Sequence, residues 1–369
     1  LLQWKPDSRH RFLRVRIQPA CKPGSRSGGT GFAFWIPSSR SALLCSVARA
    51  SAENAPTEGV QNVSEATSSI KGEKILITGP TGQVAFPVAA ALAEDNDVYG
   101  LARFGKDNDR KRVEAIGVTP IPADLADSAL EDVPTDFSIV LHYAVVKTGE
   151  FDYDLAANAE GVGRLMERCR PSKAFMHCST AGVYEYAGHK ALKETDALGD
   201  NHRAMMPTYS ICKIAAETMV RFASKQWNIP TVIARLSVPY GDNGGWPWFH
   251  LMMMKAGVPI PVYKETPSVY NLLHQDDYIG MLPKLLENVG VPPVTLNWGG
   301  SEPTSIEEWC AYLGELTGLE PKFSPTDTTI GSVTLDPAKM HELVGRTQVD
   351  WRDGIKRMVT ALNPELLRD

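Results

Sequence analysis

The chain has 369 residues, 43% of them hydrophobic and 22% charged, which suits one large α/β core with a smaller lobe and excludes a fibrous or wholly disordered protein. A formal net charge of -5 gives no electrostatic reason to expect nucleic acid or a membrane as partner, and no apolar run approaches the roughly 20 residues of a membrane-spanning helix. The six cysteines (Cys21, Cys45, Cys169, Cys178, Cys212 and Cys310) are scattered, with no CxxC pair and no histidine at metal-ligand spacing, so they read as reduced thiols and no metal site is expected.

Up to about residue 50, Lys5, Arg9, Arg11, Arg14, Arg16, Lys22, Arg26, Arg40 and Arg49 face the single acid Asp7, in Ser- and Gly-rich text without periodicity. Residues 51–70 continue as a polar stretch, so 1–70 is read as a disordered leader and linker. The expected compartment is the cytoplasm, with an organelle as the alternative if the basic leader is a transit peptide.

From Lys74 the text becomes KILITGPTGQVAFPVAAALAEDNDVYGLARF: a β-branched run, a glycine turn, an alanine-rich helix and a second strand ending in Arg103. In this βαβ unit Gly79 permits the tight turn, Gly82 lets the backbone approach a pyrophosphate, and Ala85 keeps the helix close to the strand. Thr81, Gln83 and Val84 complete a turn whose helix N-terminus would face the phosphates. VTPIPADLAD predicts a third strand ending at Asp124 and Leu125, and FSIVLHYAVV a fourth ending near Ala144, followed by the helix NAEGVGRLMERC. AFMHCST predicts a fifth strand and TVIARLSVPYG a sixth. Strands alternating with helices imply a Rossmann-type doubly wound parallel sheet whose ligands lie beyond the strands' carboxyl ends. Asp124, Leu125 and Ala144 are placed there for the dinucleotide, and Ser179 and Thr180 for the chemistry.

Tyr209 and Lys213 stand in PTYSICKIAAE, four apart on one helix face. A phenol is a poor proton carrier at neutral pH unless a nearby cation stabilises its anion, and an ammonium one turn away does that. Tyr209 is therefore the candidate acid/base, Lys213 the group that lowers its pKa and holds the ribose, and Thr180 or Ser179 the hydroxyl that orients the reacting oxygen. His142 and His274 read as core or segment-end histidines, and Asp276 and Asp277 as caps of the helix YIGMLPKLLENV.

In order along the chain, TGPTGQVA, ADL, STAGVY, PTYSICKIAAE and LLHQDDYIG resemble the TGxxGxxG, Asp-Leu/Val, S/T-x-x-V-Y, PYxxSKxxxE and FxHVDDxA segments of the extended short-chain dehydrogenases/reductases, the NAD-dependent epimerase/dehydratase family. The resemblance covers about Lys74 to Leu362 and puts the active hydroxyl on Thr180. It implies a dinucleotide-binding part at 71–237, rejoined by 274–300, and a smaller substrate lobe at 238–273 and 301–362. Homodimers are common in the family, so a homodimer is an open expectation.

At the acid that NAD-using members carry after the second strand stands Ala102, followed by Arg103, which favours NADP(H) over NAD(H). The sugar-nucleotide members' R-x-x-N-V-Y-G matches Arg235 to Gly241 with Val238 for the Asn, and Tyr270 takes the place of their pyrophosphate-binding Arg. The pocket wall reads GGWPWFHLMMMKAG, so Trp246, Trp248, Phe249 and Tyr270 suggest a small apolar carbonyl or alcohol, with Met252 to Met254 as pocket or core. Lys147 resembles a lysine near the nicotinamide of hexose epimerases. The expected reaction is reversible hydride transfer at a carbonyl or secondary alcohol. The alternatives are a nucleotide-sugar epimerase or dehydratase that retains its NAD(P), and a catalytically idle dinucleotide sensor.

Overall fold

The structure, a computed structural model, describes residues 69–127 and 130–368. The leader up to residue 68, with Cys21 and Cys45, lies outside the described residues. Seven strands form one sheet: β1 (Lys74–Thr78), β2 (Asp97–Ala102), β3 (Thr119–Pro122), β4 (Ile139–His142), β5 (Ala174–Thr180), β6 (Thr231–Leu236) and β7 (Val294–Trp298). The order is β7-β6-β5-β4-β1-β2-β3 and every pair is parallel. A strand covered on both faces cannot alternate apolar with polar, which is why β4, β5 and β6 are buried along their whole length. The pleat still sorts side chains: Ile75 and Ile77 enter one apolar cluster with Val88, Leu92 and Trp298, while Leu76 enters the opposite one with Phe175, Leu165 and Val220.

Helix α1 (Ala85–Ala93) buries Ala85, Val88, Ala89, Ala91 and Leu92 against the sheet, and Pro87 is tolerated because a first-turn N–H has no intrahelical acceptor. α2 (Asp107–Glu114) follows β2. After β4 the chain runs through Phe151–Leu155 and a π-turn at Ala156–Glu160 into α3 (Gly161–Arg168). α4 (Tyr209–Trp227) packs between β5 and β6 in sequence, and ends where Asn228 adopts the left-handed conformation (φ 55).

A further cluster gathers α5 (Trp246–Lys255), α6 (Ile306–Thr317) and α7 (Trp351–Leu362) around Trp248, Leu251, Trp309 and Ile355, and it takes in Ala181, Val183 and Tyr184 from the chain just after β5. Segment boundaries differ from expectation in three places. Ile70 is 93% covered and its carbonyl accepts from Asn96 Nδ2 at 2.8 Å, so packed chain begins at least one residue before 71. β3 stops at Pro122, before Asp124. The sixth strand stops at Leu236, because Val238 turns to positive φ (22) and sends Pro239–Gly241 to pair with Leu273–His274 and Gly244–Gly245.

Candidate active site

The sheet reverses winding between β1 and β4, and their carboxyl ends open a crevice there. Gly79 takes φ 69, and a Cβ on it would lie 3.0 Å from the Ala144 Cα, so any larger residue would fill the cradle between the two strands. The Gly82 N–H donates to the Gly79 carbonyl at 2.9 Å, closing the turn, and no side chain caps the N-terminus of α1. A groove of about 220 Å³ runs along this edge, lined by Gly79, Thr81, Arg103, Asp124, Leu125 and Ala144. Gln83 and Val84 face an adjoining cavity of about 400 Å³, and Val145 borders both spaces. Gly82 lines neither space; its part is the turn itself. The groove, the uncapped helix end and the glycine cradle fit a dinucleotide.

Arg103 is exposed at the rim of this groove but has a partner there. Its Nη1 donates to the Tyr153 hydroxyl at 2.8 Å, which donates to Asp124 Oδ2 at 2.8 Å, while Asp124 Oδ1 accepts from the Ala126 N–H. Tyr153 was not anticipated, and nothing in the sequence marks it.

The larger cavity is lined by Thr180, Tyr209, Lys213 and Lys147, so the sequence-predicted polar residues meet in one place. Tyr209 is the first residue of α4, and the first turns of that helix are pinned. Thr208 Oγ1 donates to Asp154 Oδ2 (2.6 Å), Ser210 Oγ to the Gly182 carbonyl (2.7 Å) and Lys213 Nζ to the Cys178 carbonyl (2.8 Å). Asp154 also accepts from Thr148 and Gly149, tying the loop that carries Lys147 to the start of α4. Burial opposes the Asp154 charge, but these hydrogen bonds outweigh it and hold the carboxyl below its usual range.

Burial pushes the Tyr209 phenol up to about 12, with the Thr180 hydroxyl acting in the opposite direction. The expected depression by Lys213 does not prevail, because burial costs the phenolate its hydration and the ammonium is turned to the Cys178 carbonyl. Lys213 in turn is lowered by burial. Lys213 is thus the tie between α4 and the end of β5.

The two hydroxyl candidates separate cleanly. Thr180 Oγ1 accepts from the Gly182 N–H at 3.1 Å beside the phenol. Ser179 Oγ donates to Glu217 Oε1 at 2.5 Å, and Glu217 is clasped by Arg235 through Nε (3.0 Å) and Nη2 (2.8 Å). Ser179 also lines the cavity, but its hydroxyl is engaged in a buried network, whereas that of Thr180 stands beside the phenol. Glu217 was visible in the sequence as the last residue of PTYSICKIAAE, without a role.

Trp246, Phe249 and Tyr270 do line the cavity. Trp248 does not: it is a 95% covered member of the cluster around Trp309, a correction that follows from the helical spacing, since 246 and 249 share one face and 248 lies on another. Met252, Met253 and Met254 pack into the same cluster, so they are core and not pocket wall. The Tyr270 hydroxyl is spent on the Ile330 and Gly331 carbonyls (3.0 and 3.2 Å), leaving only its ring for the cavity. His142 sits buried beside Thr78 (Nδ1 to Oγ1, 2.8 Å) and is pushed down to about 3 by burial, while His274 is the N-cap of Gln275–Gly280 and accepts from the Asp276 N–H. Asp276 and Asp277 are not side-chain caps: Asp276 pairs with Arg357 (2.7 Å), and Asp277 accepts from the Gln348 and Val349 N–H groups. The helix begins at Gln275, ahead of the expected start, which leaves His274 as the cap. Among the described residues no cluster of His, Cys, Asp and Glu could hold a metal, and no helix is long and apolar enough to cross a membrane.

The family model for the NAD dependent epimerase/dehydratase family matches residues 75–299, which holds every strand of the sheet beyond its first residue and both cavities' polar groups. The chain belongs to the NAD-dependent epimerase/dehydratase family. Curated relatives agree with this membership of the epimerase/dehydratase family. A dTDP-glucose 4,6-dehydratase of Neisseria gonorrhoeae is 30% identical over 199 residues, 48% of this chain and 55% of that one, so the match spans about half of that relative. The human dTDP-D-glucose 4,6-dehydratase is 24% identical over 78% of this chain and 89% of its own length. Among solved structures, a UDP-glucuronic acid 4-epimerase from Bacillus cereus in complex with UDP-glucuronic acid and NAD has the same fold, with a TM-score of 0.68 at 21% identity over 79% of this chain and 99% of that one. This protein is therefore an enzyme of the epimerase/dehydratase family, built on a seven-stranded Rossmann-type sheet.

Proposed function

We propose that the enzyme oxidises a secondary alcohol of a sugar-type substrate and re-reduces the carbonyl within one turnover, keeping its dinucleotide, as an epimerase or dehydratase does. The observation that carries this reading is the meeting of Thr180, Tyr209 and Lys213 in one cavity that shares Val145 with the glycine-turn groove. A dinucleotide held by Gly79, Thr81, Arg103, Asp124 and Ala144 would supply the hydride acceptor and donor. Thr180 then orients the substrate oxygen, Tyr209 exchanges the hydroxyl proton with it, and Lys213 fixes the helix that carries Tyr209. We take 71–237 with 274–300 as the dinucleotide-binding part, and the remainder up to 362 as the part that closes over the substrate.

The dehydratases and epimerases among the relatives act, by their names, on dTDP- and UDP-linked sugars, and this supports a nucleotide sugar over the small apolar substrate expected from Trp246 and Phe249. That apolar wall, with Tyr270 buried where a pyrophosphate-binding arginine was looked for, favours a second reading of net carbonyl reduction. The test is stoichiometric. On the main reading UDP- or dTDP-sugars are converted with no net change in nicotinamide absorbance; consumption of one NAD(P)H per substrate would move the assignment to the second reading.

For the cofactor we propose that NADP(H) is preferred, supported by Ala102 where NAD-using members carry an acid and by Arg103 next to it at the groove. Arg103→Ala should weaken NADP binding by about tenfold, the worth of one charge-assisted hydrogen bond, and leave NAD binding nearly unchanged. Equal losses for both dinucleotides in titration calorimetry would contradict this.

A further inference from the structure

His202 lines the larger cavity, is 8% exposed, and belongs to none of the motifs that define the site. Its ring lies 5.5 Å from that of Tyr209, centroid to centroid, and rests on Gly182: a Cβ at 182 would meet Cε1, Nδ1 and Nε2 at 2.3, 2.5 and 2.9 Å, so a larger residue there would push the imidazole from this position. The same Gly182 donates its N–H to Thr180 Oγ1, so the imidazole and the orienting hydroxyl stand on one backbone unit. Nδ1 is sealed from the cavity and has no hydrogen-bond partner, which leaves Nε2 as the nitrogen on the cavity side. Burial, and then the charge of Lys147, outweigh the Gly182 backbone and hold the ring near pKa 4, so it is neutral, and the tautomer with its proton on Nδ1 offers a lone pair at Nε2. A neutral nitrogen facing the cavity loses a hydrogen bond when an apolar group covers it, so an apolar substrate would leave Nε2 unpaired.

We propose that His202 is a substrate-contacting hydrogen-bond acceptor that selects a hydroxyl on the carbon next to the one oxidised at Tyr209, so that the cavity takes a vicinal diol and discriminates against its deoxy analogue. Thr180, Tyr209 and Lys147 can all donate around the reacting oxygen. The acceptor on the neighbouring side comes from His202, and two rings 5.5 Å apart can serve adjacent hydroxyls of one sugar. This rests on, and narrows, the sugar-type reading above.

The test is calorimetric binding to protein loaded with NADP, and in parallel with NAD, with two probe pairs: UDP-glucose against UDP-3-deoxyglucose, and trans-1,2-cyclohexanediol against cyclohexanol. Wild type should favour the hydroxylated member by at least about tenfold. His202→Phe should bring that ratio close to one by weakening only the hydroxylated member, and His202→Gln, whose amide oxygen can accept from the same hydroxyl, should restore part of it. Unchanged NAD affinity and circular dichroism show that the variants are folded. A ratio that survives in folded His202→Phe overturns the proposal while leaving the sugar reading intact. If the UDP pair fails to bind but the cyclohexane pair shows the ratio and its loss, the nucleotide-sugar reading falls and His202 keeps its role. Absence of preference in both pairs overturns the proposal.

Discussion

Tyr209→Phe is expected to lower kcat by roughly a hundredfold to ten-thousandfold, the usual worth of a positioned acid/base, with dinucleotide binding nearly unchanged. The phenol reaches the cavity from the first residue of α4 while the helix is held elsewhere, by Thr208, Ser210 and Lys213, so deleting one oxygen leaves that framework intact. Lys213→Met is a useful contrast: it removes the tie to Cys178 and so should lose dinucleotide affinity as well as kcat. The phenol stands near 12, so below that value its anionic fraction rises about tenfold with each pH unit. In the oxidation direction, where Tyr209 must accept the proton, the rate should climb from neutral into alkaline pH. A plateau already at neutrality would mean that the Lys213 charge governs the phenol in the working complex after all.

The largest effect on stability is expected from Glu217→Ala. The Glu217 and Arg235 side chains are only 5% and 4% exposed, and removing the acid strands the guanidinium and frees Ser179 Oγ behind the active site. Breaking such a pair costs about 3–5 kcal/mol, which for a chain of this size corresponds to a fall in Tm of roughly 10 °C. Arg235 also donates to the Glu194 carbonyl and lies over the Tyr184 ring, so β6, α4 and the segment after β5 should loosen together. The double variant Glu217→Ala/Arg235→Met should recover part of the loss, since no unpaired charge remains. Thermal unfolding of the three proteins checks this; a single variant as stable as wild type would mean that water already serves Arg235.

The Rossmann sheet was legible because its central strands β1, β4, β5 and β6 are largely apolar runs and its turns carry a glycine or polar stop, as at Gly79 and Thr180, whereas β7, with Thr295 and Asn297 inside it, was not read as a strand. Tyr209, Lys213 and Thr180 were legible because proton chemistry needs those groups at fixed spacing. What stayed hidden depended on which way a side chain turns. Ser179 and Thr180 are adjacent in one strand and so point to opposite faces, and only the fold shows that Glu217 waits on one of them. Trp248 could not be told from Trp246 until the helix phase was known. The pull of burial on Tyr209 likewise has no trace in the spacing of Tyr and Lys. His202 and Tyr153 lie in loop or helix text with no pattern, and they reach the site through tertiary contacts alone.

The most direct test of the central claim, that Tyr209 handles the proton of an alcohol oxidised in the cavity beside the glycine-turn groove, is a single-turnover experiment with a nucleotide sugar deuterated at the carbon to be oxidised. Wild type should show a transient rise in nicotinamide absorbance slowed by the deuterium, with the label retained in product, and Tyr209→Phe should bind the same sugar and show neither. Full turnover by Tyr209→Phe, or wash-out of the label into water with no nicotinamide transient, would contradict the account.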